Sequence, residues 1–149
     1  MHSLNKYVQV IAPVAIVDNT SWTTVEVDTK DWDHLTYVFN LGATDIAMAA
    51  LAVTSSDVTA SGHANVTGLI MGTSTDIDGA TSVLPSATDD GSLVVFDIDL
   101  RGQKRFFDLT ATGGDGAVGT YASCVAILSK GAISPVSEAD HGAETFLRI

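Results

Sequence analysis

The most constraining feature of the chain is the segment from Gly91 to Thr112, where apolar and polar side chains alternate over two consecutive runs. Phe96, Ile98 and Leu100 recur at every second position of the first run, which places them on one face of a β-strand. Gly102 then opens a two-residue connection, and glycine at that position favours a type II′ turn. The segment therefore predicts one long β-hairpin.

The register of this hairpin predicts a dry face and a wet face. The dry face pairs Ile98 with Phe107 and Phe96 with Leu109, and it sets Leu100 opposite Arg105. The wet face gathers Asp97, Asp99, Asp108 and Phe106, with Arg101 and Lys104 at the turn. One apolar and one charged face are typical of an antiparallel sheet that packs on one side.

Other apolar segments predict strands at residues 5–17, 22–29, 34–41, 46–53, 66–71 and 118–128. The segment 46–53, IAMAALAV, is ambiguous, because Ala, Met and Leu also favour a helix. Eight residues without a cap are short for a helix, and their alternation suits a strand buried on both faces. We predict a strand there.

These segments add up to about eight strands joined by polar connectors, and no segment predicts a convincing helix. A chain of 149 residues suits a single domain, which we place at residues 1–149. The predicted fold is all-β, a jelly-roll-like β-sandwich of about eight antiparallel strands. Within it, residues 55–91 are rich in loops, and residues 131–149 form an extended tail whose last five residues are compatible with a terminal strand.

Composition excludes several classes of function. A net charge of −11 with only seven Lys and Arg residues argues against nucleic-acid binding, since few phosphates could be neutralised. The apolar stretches are too short or too interrupted for a membrane span of about 20 residues, and no signal-peptide pattern is visible. The single Cys124 excludes an internal disulfide and lies in an apolar run, which predicts a buried, inert thiol.

Acidic residues offer two weak metal-site patterns. Asp97, Asp99 and Asp108 on the wet face could hold a hard cation, but Arg101 and Lys104 lie close enough to offset their charge. We interpret these carboxylates as an ion-pair face. The run 76–79, DIDG, resembles the opening of a calcium loop but lacks the later ligands. We therefore predict no metal.

No catalytic motif stands out in the sequence. The four histidines show no metal-ligand spacing, and a serine-hydrolase elbow of the Gly-x-Ser-x-Gly type is missing. Serine, histidine and aspartate are frequent enough here for a triad to be drawn by chance. We predict that the protein is not an enzyme and needs no cofactor.

The basic residues are concentrated at the predicted hairpin tip. Arg101, Lys104 and Arg105 are three of the seven in the chain and fall within five positions, next to Phe106. They are consistent with local charge balance against nearby aspartates. They are equally consistent with docking onto an acidic surface of another protein, where arginine is favoured.

The run VVFDIDLRGQKRFFDLTATGGDGAVGTYASCVAILSK resembles a stretch of small proteins encoded beside the major capsid gene of tailed bacteriophages and prophages. The runs AIVDNTSWTTVEVDT, DHLTYVFNLGATDIAMAALAV and VTGLI are similar too, so the resemblance covers most of residues 12–130. It implies a capsid decoration (cement) or minor head protein, a jelly roll that binds the outside of the head. Such a protein is made in the bacterial cytoplasm and ends on the capsid exterior of the virion.

The resemblance implies two kinds of partner, the major capsid protein and further copies of the chain in a trimer. Trp22, Trp32, Tyr37 and Phe106 are candidate anchors of the trimer, since buried aromatic side chains dominate interfaces. The candidate interface residues are Arg101, Lys104, Arg105, Phe106, Asp97, Asp99 and Trp32.

An alternative function is a receptor- or carbohydrate-binding module of a phage tail or fibre. In that case an exposed Trp32, flanked by Asp31, Asp33 and His34, would form a platform for a sugar ring.

Overall fold

The computed structural model describes residues 4–132, 135 and 137–147, and the regular secondary structure of this part is almost entirely β-strand. The strands are β1 (Lys6–Ile11), β2 (Val27–Asp28), β3 (Trp32–Thr44), β4 (Ala50–Ser56), β5 (Ala64–Ile70), β6 (Leu93–Asp99), β7 (Phe106–Thr112) and β8 (Thr120–Gly131). One short helix, α1 (Glu138–His141), follows them.

The strands form two four-stranded antiparallel sheets. Sheet A has the order β1-β8-β3-β6 and sheet B the order β2-β7-β4-β5. The first strand pairs with the last, the second with the seventh, the third with the sixth and the fourth with the fifth. A long antiparallel ribbon rolled over itself has this pairing, which is that of a jelly roll. The predicted eight-stranded all-β sandwich is confirmed.

The core lies between the sheets and takes its largest side chains from the middle of β3. Leu35, Tyr37 and Phe39 are fully buried, as the alternation in this segment predicts. Phe107 of β7 fills the core from the opposite sheet and is also fully buried. The inward face of β8 carries the smaller Ala122, Cys124 and Ala126, all nearly inaccessible to solvent. Large residues of one strand thus pack beside small residues of its neighbour.

The ambiguous segment 46–53 leads into a strand. β4 begins at Ala50, and its residues 51–56 are all buried, so both of its faces are covered. A strand that is covered on both sides has no polar phase, which explains why both sets of alternating positions in the segment carry apolar residues. Residues 46–49 precede the strand, with Ile46 exposed and Met48 in the core.

The predicted hairpin from Gly91 to Thr112 is wrong in its pairing. β6 pairs with β3 in sheet A, whereas β7 pairs with β4 and β2 in sheet B. Ile98 and Phe107 are both buried as expected, but they face the core from opposite sheets. Alternation determines which face of a strand is buried and not which strand lies beside it. Gly102 does turn the chain with a φ of 78°, at the corner between the sheets.

Two further predictions need correction. The strand expected at 22–29 is reduced to the two residues of β2, and Val25 of the same segment is 50% exposed. In the tail, the chain forms helix α1, whose N-cap Ser137 makes a capping box with Asp140. Residues 145–147 form no strand, and the other two residues of the expected terminal strand lie outside the described part.

Tyr37 provides a test of the core. Its hydroxyl is buried, has no hydrogen-bond partner among the described residues, and its pKa is raised well above the ordinary value, chiefly by burial. An unsatisfied buried hydroxyl costs roughly 1–3 kcal/mol, so Tyr37→Phe should leave the free energy of unfolding unchanged or raise it by about 1 kcal/mol. The neighbouring Phe39→Ala should lower it by about 3–5 kcal/mol. Urea unfolding measures both, and a clearly destabilised Tyr37→Phe would contradict this packing.

Candidate functional site

The wet face predicted for the hairpin is divided between the two sheets. Asp97 and Asp99 lie on the outer face of β6 in sheet A, whereas Asp108 lies on β7 in sheet B. The expectation that the three carboxylates share a face was therefore wrong. Across the described ranges, His, Cys, Asp and Glu form no group of three that could hold a metal ion.

Arg101 is paired within its own corner. Its Nε lies 2.9 Å and 3.1 Å from the two carboxylate oxygens of Asp99, and its Nη2 also donates to that carboxylate. The hydrogen bonds from Arg101 hold the pKa of Asp99 below its ordinary value. Both side chains remain more than half exposed, so the pair contributes little to stability.

Arg105 is paired on the other sheet. Its Nε and Nη2 donate to the two carboxylate oxygens of Asp28 at 2.8 Å and 2.7 Å, and its guanidinium lies 4.8 Å from the centre of the Phe106 ring. The basic residues therefore do not form one patch. Arg101 and Arg105 each pair with a nearby aspartate, as the interpretation of local charge balance predicts. Lys104 between them is exposed. Docking by these residues stays a prediction.

At one end of the outer face of sheet A, a row of polar side chains crosses three strands. His34 Nε2 lies 3.0 Å from Asp97, and its Nδ1 lies 3.3 Å from the Ser129 hydroxyl. The Thr36 hydroxyl also donates to Asp97, at 3.1 Å. This row opens into a shallow cleft of about 480 Å³ lined by Asp33, His34, Asp97, Asp99, Arg101 and Lys130.

The order serine, histidine, aspartate resembles a hydrolase triad in outline, but its setting differs. Ser129 and His34 lie directly opposite each other in the β3–β8 ladder, whose strands run on through the sheet. Backbone N–H groups of these strands are engaged in the ladder, so they cannot form the oxyanion hole that acyl transfer requires. We interpret the row as a hydrogen-bonded network between neighbouring strands, which makes this end of the sheet face polar.

An apolar stripe lies on the same outer face, among polar side chains such as Thr36, Asn40 and Ser123. Val38 of β3 lies opposite Val95 of β6 on one side and Val125 of β8 on the other. Ile127 lies one row along, and Leu93 lies at the far end of β6. Val95 is 54% and Leu93 60% exposed. Val38, Val125 and Ile127 are half-buried. The outward face of a two-layer sandwich is normally polar, so a row of three valines across three strands, with Ile127 and Leu93 beside it, is unusual.

This stripe was not predicted from the sequence. Each strand contributes only one or two of its members, at positions that alternate with the buried residues and so belong to the polar phase. The sequence does contain one indication of the stripe, namely valine at strand positions where the alternation predicts an outward, polar side chain. The stripe becomes apparent only when the strand order places the three strands side by side.

The aromatic side chains expected at an interface are mostly internal. Trp22 is 8% exposed and Tyr37 fully buried, so both belong to the core and the prediction that they anchor a trimer was wrong. Trp32 is half-buried, and its ring lies so close to Gly131 that an added Cβ would come within 2.7 Å of it. Phe106 is half-buried beneath Arg105.

The calcium-like run 76–79 is a hydrogen-bonded turn. One carboxylate oxygen of Asp76 accepts from the N–H groups of Asp78 and Ala80, at 3.0 Å and 2.9 Å. Gly79 supplies the required positive φ of 88°. This local turn accounts for the residue pattern without a bound cation.

A carboxylate that the sequence did not single out ties a loop to sheet B. Glu26 accepts from the Thr59 hydroxyl at 2.7 Å and the Ala60 N–H at 2.8 Å, and lies 3.1 Å from His63 Nε2. The contact to His63 is short but lacks hydrogen-bond geometry. Burial raises the pKa of Glu26, but the hydrogen bonds and His63 together outweigh it, and the pKa is lowered.

Comparison of the chain with protein-family models, with curated proteins and with solved structures finds no match. The candidate surfaces therefore stand on their geometry. In the part of the chain that the structure describes, no helix has the length and apolar character needed to cross a bilayer.

Pairing with Arg105 should lower the pKa of Asp28, and this change can be measured. Hydrogen bonds from Arg105, and then from the Lys30 N–H, hold the pKa of Asp28 below its ordinary value. A lowered pKa means that the contribution of the pair is present above about pH 4 and is lost as the pH falls through the folded-state pKa. Arg105→Gln should raise the Asp28 pKa towards 3.8 in an NMR titration, while leaving Asp99 unchanged. An unchanged Asp28 pKa would show that Arg105 does not make this contact in solution.

Cys124 should be unreactive in the folded protein. It is fully buried on β8, and burial raises the pKa of its thiol to about 12. Native protein at pH 8 should therefore release no colour from Ellman's reagent over minutes, and the unfolded protein should react with one equivalent. Fast reaction of the native protein would mean that the core opens around β8.

Proposed function

We propose that this protein is a virion structural protein that decorates and stabilises the outer surface of a tailed-phage head, binding capsid subunits as a homotrimer. The observation that carries the proposal is the apolar stripe on the outer face of sheet A. Exposed apolar patches rimmed by polar residues mark protein–protein contact sites. The sequence resemblance supplies the identity of the partner, the major capsid protein.

The stripe has the chemical anatomy of an interface. Its centre is formed by Val38, Val95 and Val125, and its end by the charged row around His34 and Asp97. Protein interfaces combine an apolar centre with a polar rim, and the rim fixes orientation more than it adds affinity. On a chain of net charge −11, an apolar contact face also avoids repulsion between like-charged copies.

The role calls for many modest contacts. Fully burying a side chain such as Val95 or Leu93 contributes roughly 1.5–3 kcal/mol at most, so a stripe of five side chains gives limited affinity to a single chain. Trimerisation would raise the effective concentration of the remaining copies once one is bound. Arg101 and Asp99 lie at the charged end, where they would contribute to steering and register, and the exposed Lys104 follows Arg101 by three residues.

The alternative of a carbohydrate- or receptor-binding module has less support. Its platform required an exposed Trp32, and that ring packs against Gly131 and is half-buried. The cleft lined by Asp33, His34 and Asp97 has polar groups but no exposed aromatic face for a sugar ring to stack on.

The experiment is co-sedimentation with capsids that lack the protein. Leu93→Lys combined with Val125→Lys should reduce binding at least about tenfold, since each substitution removes roughly 1 kcal/mol of apolar burial and adds a charge to desolvate. The loss of binding should also abolish the rise in capsid rupture temperature that the unmodified protein produces.

The matched control is Val58→Lys combined with Val83→Lys. These side chains are 60% and 77% exposed and lie in loops outside the strands of sheet A, so the same charge change should leave shell binding intact. No binding of the unmodified protein to shells, together with binding to host-surface glycans, would reject the decoration role in favour of the alternative.

A further inference from the structure

An apolar groove of about 580 Å³ lies between the outer edges of the two sheets on one side of the sandwich. Its walls are residues 68–70 of β5 and residues 95–97 of β6, and the loop after β5 contributes residues 74–77. The apolar lining consists of Leu69, Ile70, Met71, Ile77, Val95 and Phe96. Ile77 is fully exposed at the rim, so its apolar side chain buries no surface against the rest of the described chain.

One wall of the groove is a strand edge with unpaired backbone groups. At the two ends of the β3–β6 ladder, the Leu100 N–H donates to the Asp33 carbonyl and the Leu41 N–H donates to the Ser92 carbonyl. Because hydrogen-bonded and non-hydrogen-bonded pairs alternate in an antiparallel ladder, residues 94, 96 and 98 bond to β3. The N–H and C=O groups of Val95 and Asp97 therefore point away from β3, towards the groove.

The other side of the sandwich lacks such an edge. β1 receives a hydrogen bond from the Val25 N–H to the Val10 carbonyl, at 3.1 Å, and α1 packs against it. β2 is only two residues long, which is itself a common protection of a sheet edge. β6, in contrast, offers seven residues without proline or lysine, the two residues that most often block edge pairing.

The acidic side chains of the groove indicate which charge a bound segment would carry. Its lining includes the carboxylates of Asp76 and Asp97 and no basic side chain. The Asp97 side chain is 70% exposed, so it can meet an incoming cation. An apolar floor, an open strand edge and two carboxylates together match an extended segment with apolar residues at alternate positions and lysine or arginine beside them.

We propose that the groove binds an extended segment of another protein chain, which adds to sheet A as a strand along the free edge of β6. Main-chain hydrogen bonds to Val95 and Asp97 hold the segment, its apolar side chains enter between β5 and β6, and its basic residues meet Asp76 and Asp97. The groove shares Val95 with the apolar stripe, which lies on the face of the same sheet, but the hydrogen bonds proposed here are made by the backbone of the β6 edge. They do not depend on the proposed function.

The test uses the full chain and a synthetic ten-residue peptide that alternates valine and threonine and carries a lysine near each end. Amide hydrogen exchange is followed by NMR with and without peptide at one protein concentration. In the free protein the amides of Val95 and Asp97 should exchange much faster than those of Val94 and Phe96. Saturating peptide should slow Val95 and Asp97 at least about tenfold, as new ladder hydrogen bonds do.

Two controls separate strand addition from general stickiness. A peptide with proline in place of its central residues keeps the charge but loses backbone donors, and it should give no protection. Asp76→Asn with Asp97→Asn should weaken the lysine peptide about three- to tenfold at low salt, whereas Asp57→Asn with Asp115→Asn, outside the groove, should not. Asparagine at position 76 keeps the oxygen acceptor that shapes the turn.

The same titration in the Leu93→Lys/Val125→Lys variant separates the groove from the sheet face. Peptide protection should persist there even if shell binding is lost, so each proposal can fail alone. Protection of Val95 and Asp97 that appears without peptide, as protein concentration rises in this variant, would show that a second copy occupies the groove and would overturn the proposal. No protection at millimolar peptide would overturn it as well.

Discussion

The structure depends on one antiparallel ladder, that between β3 and β8, which pairs residues from Trp32 with Gly131 to Thr44 with Thr120. It is the longest in the described chain, and it forms the centre of sheet A. Its inward positions carry the fully buried Leu35, Tyr37 and Phe39, against which sheet B closes. Because the side chains of a strand alternate, the same register that buries these residues also aligns Val38 with Val125 on the outer face. Core and candidate interface are therefore two consequences of one pairing.

The jelly roll also decides which edges of the molecule are open. Rolling the ribbon places β1 and β2 on one side and β5 and β6 on the other. The first pair is closed by the Val25 hydrogen bond and by α1, and the second encloses the apolar groove. Exposed backbone groups on a sheet edge are a hazard that most proteins cover, so an uncovered edge beside an apolar groove is best explained by a partner. In both proposals sheet A provides the contact surface, and the stripe and the groove meet at Val95.

Alternation in the sequence was sufficient for most strands and for the buried residues of β3, β6 and β7. Alternation does not determine which strands pair with each other. For that reason the predicted hairpin between β6 and β7 was wrong, although Phe96, Ile98 and Phe107 are buried as expected. The carboxylates of Asp97, Asp99 and Asp108 separated for the same reason. The helix α1 was missed because four residues carry no periodicity, although the Ser137–Asp140 capping box was readable. The stripe was missed because its valines become neighbours only across strands.

We propose that the outer face of sheet A contacts other protein chains, both the capsid subunits and further copies of this chain. Sedimentation equilibrium over a wide concentration range tests it most directly. The account predicts a mass three times the 15.5 kDa of one chain, falling towards one chain when Leu93 and Val125 are both replaced by lysine. A mass of one chain at every concentration, or a trimer that is indifferent to these substitutions, would contradict it.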